Sequence, residues 1–187
     1  MPVRFRLFPV LALLFVLATP LLAQEDEEGR FSVGLGGGLV DTGSSSDPYY
    51  TANLRTRIGY RVAGEERQGS VFGYFEPEVG YWKRDNNGAS SKDTLVGVNI
   101  GGAVRLRVFE YFVGGGVGYH FFDQRTPRIG GGSVSTSDGK VGVNAQFGFD
   151  VRVSEMLSLF GVGRFDLIQD TPQTRETKVY LGLRVHL

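Results

Sequence analysis

The sequence predicts an all-β protein, an eight-stranded antiparallel up-and-down transmembrane β-barrel, and three observations carry that prediction. Apolar and polar residues alternate at period two through eight stretches between Arg30 and Leu187, which is the pattern of strands with one apolar and one polar face. The polar faces are crowded with glycine yet carry full charges, a combination that suits a narrow interior. The stretches run to ten to fifteen residues, enough for the ~9–11 residues of a tilted membrane strand.

Met1 to Ala23 reads as a signal peptide: Arg4 and Arg6 open it, Leu7 to Leu17 form its apolar core, and Pro20 precedes Leu21-Leu22-Ala23 at the cut. The run is shorter than the ~20 apolar residues of a spanning helix. Its removal takes two of the 20 basic residues and leaves 18 against 20 acidic ones. A near-neutral mature chain implies no general attraction to nucleic acid. Residues 24–29 read as an acidic periplasmic tail without the spacing of a calcium loop, and residues 30–187 as the barrel domain. The 187-residue chain contains no Cys, which excludes disulfides and thiolate chemistry. Its 28 glycines are about twice the usual share.

In the first strand, Phe31, Val33, Leu35 and Leu39 oppose Ser32, Gly34, Gly36 and Gly38, and Asp41 to Pro48 is a polar loop. The second, Tyr49 to Val62, sets Ala52, Leu54, Ile58 and Tyr60 against Asn53, Arg55, Arg57 and Arg61. A turn over Ala63 to Ser70 follows. The third, Val71 to Arg84, sets Phe75, Val79 and Tyr81 against Phe72, Tyr74, Glu76, Glu78 and Trp82, and Pro77 predicts a bulge or local break because it cannot donate to the ladder. A long loop is expected over Asp85 to Asp93. The fourth strand, Thr94 to Val108, sets Val96, Val98, Ile100 and Val104 against Asn99, Ala103, Arg105 and Arg107, with a tight turn at Phe109-Glu110.

The fifth strand, Tyr111 to Phe122, opposes Tyr111, Val113, Val117 and Tyr119 to glycines, Phe112, His120 and Phe122. The longest loop is expected over Asp123 to Gly139. In the sixth strand, Lys140 to Val153, Val143, Ala145, Phe147 and Phe149 oppose Asn144, Gln146, Asp150 and Arg152, and a short turn covers Ser154 to Met156. The seventh, Leu157 to Ile168, places Leu159, Phe165 and Leu167 on the apolar face and Ser158, Arg164 and Asp166 on the other, with Phe160 and Val162 out of pattern. After Gln169 to Glu176, the last strand opposes Val179, Leu181, Leu183, Val185 and Leu187 to Lys178, Tyr180, Gly182, Arg184 and His186.

The charges decide which face points inward. Arg55 or Arg57 facing lipid near the midplane would cost roughly 2 to 4 kcal/mol each, whereas on an inner face Glu76 and Glu78 of the neighbouring strand can pair with them and Asp166 with Arg164. A soluble, lipocalin-like barrel would invert this arrangement. Tyr50, Tyr60, Tyr81, Tyr119 and Phe121 near strand ends predict interfacial aromatic girdles. With the N-terminus in the periplasm, the long loops face outside and the short turns inside.

Tyr111-Phe-Val-Gly-Gly-Gly-Val-Gly-Tyr119 and the final strand resemble the small eight-stranded outer-membrane β-barrel family, similar to the OmpA transmembrane domain and OmpX. Tyr180, Gly182, Val185 and Leu187 resemble that family's C-terminal assembly signal, although most members end in Phe. The resemblance implies a bacterial outer-membrane location, contact with lipid and lipopolysaccharide, recognition by the barrel-assembly machinery and a monomer. Because the chain stops at strand eight, the peptidoglycan-binding domain of OmpA is expected to be absent.

No cofactor, metal or catalytic site is expected. The glycine runs lack G-x-G-x-x-G and no Gly-Lys-Ser/Thr follows them. His120 and His186, the two histidines, fall at opposite ends of the barrel. Lipid A deacylases of this shape place a Ser two residues after the His on the same strand, and here Phe122 stands there. The expectation is a structural or surface-interaction role. The alternatives are an adhesin whose loop 123–139, with Arg125 and Arg128, meets an extracellular ligand, a narrow small-solute channel, or a rim lipid hydrolase.

Overall fold

The structure is a computed structural model that describes residues 29–43, 49–65, 69–86, 89–128, 132–169 and 174–187. The signal peptide expected over residues 1–23 and nearly all of the acidic tail lie outside the described residues. Eight strands follow one another: β1 Gly29–Asp41, β2 Tyr49–Glu65, β3 Gly69–Asn86, β4 Ala89–Leu106, β5 Phe109–Pro127, β6 Ser133–Arg152, β7 Leu157–Ile168 and β8 Thr174–His186. Each pairs antiparallel with its sequence neighbour, and β8 returns to β1 to close the barrel. The β1–β8 seam runs from Ser32↔His186 to Asp41↔Thr177, and the Leu187 backbone N–H donates to the Phe31 carbonyl at 3.0 Å.

Period-two alternation sends one set of side chains outward on every strand. Leu35, Ile100, Val113, Phe147 and Leu181 are each 65 to 69% exposed, and they form an apolar belt around the wall. Aromatics flank it. On β5, Phe109 and Tyr111 stand at the end that carries Gly29 and Leu187, here the terminal end, and Tyr119 and Phe121 stand toward the far end. The eight to twelve residues between the two pairs span about 26 to 40 Å of strand. At a ~40° tilt that is roughly 20 to 30 Å of height, which brackets the ~25 Å apolar band of a membrane barrel.

The strands differ in height. β1, β7 and β8 have 13, 12 and 13 residues, whereas β3, β4, β5 and β6 have 18, 18, 19 and 20. Most of the excess lies at the far end. β5 and β6 pair continuously from Phe109↔Val151 to Pro127↔Ser133, so the loop expected over Asp123 to Gly139 is a raised hairpin with a short tip. Likewise the loop expected over Asp85 to Asp93 is mostly ladder, with pairing up to Asn86↔Ala89. The apolar alternation stops where both faces meet water, but the hydrogen-bonded pairing does not, and this is why these segments resemble loops in sequence.

Other boundaries shift for similar reasons. The expected turn at Phe109-Glu110 lies at Arg107 and Val108 instead, where Leu106 pairs with Phe109 and Arg107 takes a left-handed φ of 57°. β2 reaches Glu65 and β3 starts at Gly69, so the turn expected over Ala63 to Ser70 is shorter than expected. Pro77 produces no bulge but does bring the expected local break: the β3–β4 register is unbroken through Pro77↔Val98, while on the β2 side the pairing lapses between Arg55↔Glu78 and Ile58↔Phe75, opposite the proline that cannot donate, and resumes without a shift. The register shift in this sheet lies between Arg61 and Ala63. β7 keeps strict alternation, so Phe160, Val162 and Ile168 point inward and are 2% exposed or less.

Candidate functional site

The inward faces build a lumen in which aromatic rings sit over glycines and charges pair in a continuous network. Phe160 lies across β1 and β8: a Cβ on Gly36 would meet its Cζ at 2.9 Å, and one on Gly182 would meet it at 2.6 Å. Tyr74 and Phe112 use Gly114 and Gly148 in the same way. Together with Phe72, Ala103, Val162 and Tyr180 they form a buried cluster. The glycine share of the sequence therefore corresponds to room for rings inside a barrel whose interior is about filled by side chains.

Glu76, fully buried on β3, is the hub of the charges. Arg55 Nη1 lies 3.1 Å from Glu76 Oε1, while Arg57 Nη2 and Arg184 Nη2 lie 2.8 and 3.2 Å from Oε2. Gln146 donates to Oε1 at 3.2 Å. Arg55 also reaches Glu78 at 3.1 Å, and Glu78 is ion-paired with Arg164 from the opposite wall. Arg164 holds Asp166 at 2.6 Å, and Lys178 joins Asp166 at 3.2 Å to Glu176 at 2.8 Å. Toward the terminal end, Arg57 reaches Glu110 at 3.3 Å and Asp150 at 3.4 Å, Arg105 pairs with Glu110, and Arg184 pairs with Asp150. The Arg57 guanidinium is also sandwiched between Tyr74 and Phe112, 4.4 and 4.2 Å from their ring centroids. Buried charges are tolerated only with several partners each, and these have them.

The structure brings Arg55, Arg57, Glu76, Glu78, Arg164 and Asp166 into this one cluster. Sequence reasoning did not single out Asp93, Glu110, Gln146, Glu176 or Lys178 for the site. The signal lay in parity: Glu110 continues the inward series of Phe112 and Gly114, Asp93 that of Asn99, and Glu176 that of Lys178.

Above the network the barrel opens at the far end into a cup of about 280 Å³, lined among others by Tyr49, Trp82, Arg84, Phe122, Lys140 and Glu176. Tyr49 stacks on Trp82 at 5.8 Å, and Arg84 lies over Tyr49 at 4.8 Å. In the floor region His120 is fully buried, shares a hydrogen bond between its Nδ1 and Asp93 Oδ2 at 2.8 Å, and stacks on Phe122 at 5.8 Å. His186 lies at the terminal end, its Nε2 2.7 Å from Ser158 Oγ. Arg125 and Arg128 are exposed on the raised hairpin, and Arg125 Nε donates to Ser133 Oγ at 2.8 Å. At the other end of the chain Tyr180 and Gly182 face the lumen cluster, while Val185 and Leu187 are exposed on the outer wall.

Solved structures share this architecture. A major outer membrane protein from Thermus thermophilus is similar with a TM-score of 0.62 at 13% identity, covering 85% of this chain and 99% of that one. Ail, the attachment invasion locus protein of Yersinia pestis, gives 0.57 at 16%, covering 86% and 98%. The outer membrane enzyme PagL gives 0.51 at 15%, covering 82% and 98%. No curated protein matches by sequence. The model of the outer membrane protein beta-barrel domain matches residues 10–184, nearly the whole chain, and the protein belongs to that family.

Proposed function

We propose that this outer-membrane barrel is a non-catalytic surface-interaction protein. In this reading the terminal end faces the periplasm, and the raised β3–β6 sheet stands outside and offers its basic tip to an anionic extracellular partner. The single observation that carries it is the unbroken β5–β6 ladder up to Pro127↔Ser133. A paired, rigid sheet that rises beyond its neighbours gives a preorganised surface, which a floppy loop does not. Arg125 and Arg128 supply cationic groups there, and lipopolysaccharide phosphates or sulfated host polymers supply the matching charge.

A hydrolase is disfavoured by the His120 surroundings: the ring is fully buried and stacked on Phe122, which stands where a Ser would be needed. A channel is disfavoured by ion pairs that bridge opposite walls of the lumen. The terminal residues Tyr180, Gly182, Val185 and Leu187 fit a signal for the barrel-assembly machinery, and a monomer fits a barrel that closes through its own β1–β8 seam.

Ail has a structure in complex with the heparin analogue sucrose octasulfate, which makes that compound a suitable probe. The test is its binding to the purified protein in nanodiscs, alongside Arg125→Glu and Arg128→Glu. Salt-sensitive binding that is lost in the double variant is expected. Equal binding by the variant, or none by either protein, would remove the reading.

A further inference from the structure

We propose that the cup at the far end binds a neutral sugar, the terminal monosaccharide unit of a glycan, held between aromatic rings and hydrogen-bonding groups. The proposal does not rest on the surface-interaction reading, which concerns the outer tip and an anionic partner. The raised strands form the high wall of the cup, with Trp82, Phe122 and Lys140, and β2 and β8 form its low wall, with Tyr49 and Glu176. A ligand enters over the low side.

Size sets the first limit. A volume of about 280 Å³ lies just under the ~300–1,000 Å³ of most small-molecule sites, which leaves room for one sugar ring and not for a chain. Below it His120 and Asp93, and then the Glu78–Arg164 pair, fill the lumen. The cup is a dead end, so only the end of a glycan fits.

Charge sets the second limit. The described lining holds two cations, Arg84 and Lys140, and two carboxylates, Asp138 and Glu176. Lys140 is paired with Asp138 at 3.3 Å, and Glu176 with Lys178 at 2.8 Å. An ion of either sign meets a like charge in this cup, and a neutral ligand does not. An acyl chain fails for another reason. It would cover these charges and the hydroxyls of Ser91, Thr136 and Thr174 without returning a hydrogen bond. A polyol, which donates and accepts around its ring, matches the mixed lining.

The apolar part of the cup is aromatic and held in place. Tyr49 stacks on Trp82 at 5.8 Å, and Phe122 is backed by His120 at 5.8 Å. Rings fixed before a ligand arrives bury the C–H face of a pyranose at little cost in entropy. At the base two polar atoms lack partners. Trp82 is 6% exposed and Glu176 1%, both line the cup, and Trp82 Nε1 and Glu176 Oε1 have no hydrogen-bond partner among the described residues. One is a donor and the other an acceptor. A sugar hydroxyl serves both kinds, directly or through one water.

Trp82, the single tryptophan, reports on the site. The purified protein in nanodiscs is titrated with glucose, galactose, mannose and N-acetylglucosamine while Trp82 emission is read. A saturable change with at least one of the four is expected, with a millimolar Kd. That Kd should hold in high salt, because no ion pair forms, whereas octasulfate binding at the tip should not; sugar binding without octasulfate binding removes the earlier reading alone. Phe122→Ala and Glu176→Gln should each weaken sugar binding at least about tenfold, and His186→Gln at the opposite end should leave it unchanged. No saturable response to any of the four sugars, full retention by either cup variant, or equal loss in His186→Gln would overturn the proposal. Should the cup variants fail to fold, the wild-type protein decides: an indole ¹⁵N resonance of Trp82 that stays in place on sugar addition refutes the site, and one that moves supports it.

Discussion

Glu78 of β3 and Arg164 of β7 are ion-paired across the lumen, from strands four places apart in a ring of eight. Arg57 of β2 and Asp150 of β6 stand in the same relation at 3.4 Å. Such pairs brace opposite walls, and they also fill the path that a permeating solute would take. Steady conductance in a planar bilayer is therefore expected to be absent, and to stay absent in Arg125→Glu, which changes only the raised hairpin. A regular open channel in the wild-type protein would contradict the bracing.

Glu76 serves Arg55, Arg57 and Arg184 at once. Glu76→Gln leaves three buried guanidinium groups short of a counter-charge, and breaking a buried pair in this way costs about 3–5 kcal/mol. Trp82, the single tryptophan, lies buried in the cup wall, and its fluorescence during urea unfolding in detergent reads the loss. Reversal of Glu76 and Glu78 to Lys should be more severe still.

Gly36 and Phe160 share one space. Gly36→Ala puts a methyl group 2.7 Å from Asn53 Oδ1 and 2.9 Å from Phe160 Cζ, and overpacking of this kind costs about 1–3 kcal/mol. Phe160→Leu should relieve part of that cost, so the double variant should be more stable than the sum of the two single losses. Additive losses in urea titrations would show that the ring and the glycine are not coupled.

Ile100 and Val134 separate the belt from the raised sheet. Ile100→Arg lies in the middle of the apolar wall and should cost roughly 2–4 kcal/mol in a bilayer. Val134→Arg, on the raised part of β6, should stay within about 0.5 kcal/mol of wild type, as surface changes do. Equal costs would place Val134 in lipid.

Leu187 tests the end of β8. Its backbone N–H is bonded to Phe31 and its side chain is 70% exposed. Deleting it is expected to reduce the heat-modifiable, folded protein recovered from cells several-fold while leaving refolding in detergent almost intact. Loss in both settings would point to barrel closure, and loss in neither would remove the assembly-signal reading.

The wall of this barrel was legible because period two survives wherever one face meets lipid, as in Val141, Val143, Ala145 and Phe147. It was hidden where that contrast vanishes: Ser133 to Gly139 is strand with water on both faces, and the sequence resembles a loop there. Phe160 and Val162 misled in the opposite direction, because an apolar ring inside the lumen breaks an inward-polar rule that glycines on β1 and β8 make unnecessary. For the charges, the sequence could suggest partners on neighbouring strands, such as Arg55 and Glu76. Partners across the lumen, such as Arg164 for Glu78, exist only once the sheet has closed, and a linear pattern carries no trace of closure.

Closure normally leaves a sheet with no free margin, and the unequal strand heights undo that at the far end. Among the described residues, Arg84–Asn86 of β3 is laddered on the β4 side alone, and Ser133–Gly139 of β6 on the β5 side alone. Each margin presents a row of backbone donors and acceptors to whatever lies alongside, the geometry on which an incoming extended peptide adds as a further strand. The Ser, Thr and Asp side chains along Ser133–Asp138 keep such a margin soluble without blocking it. The barrel thus pairs a membrane-embedded ring that cannot grow with a short protruding sheet that still can.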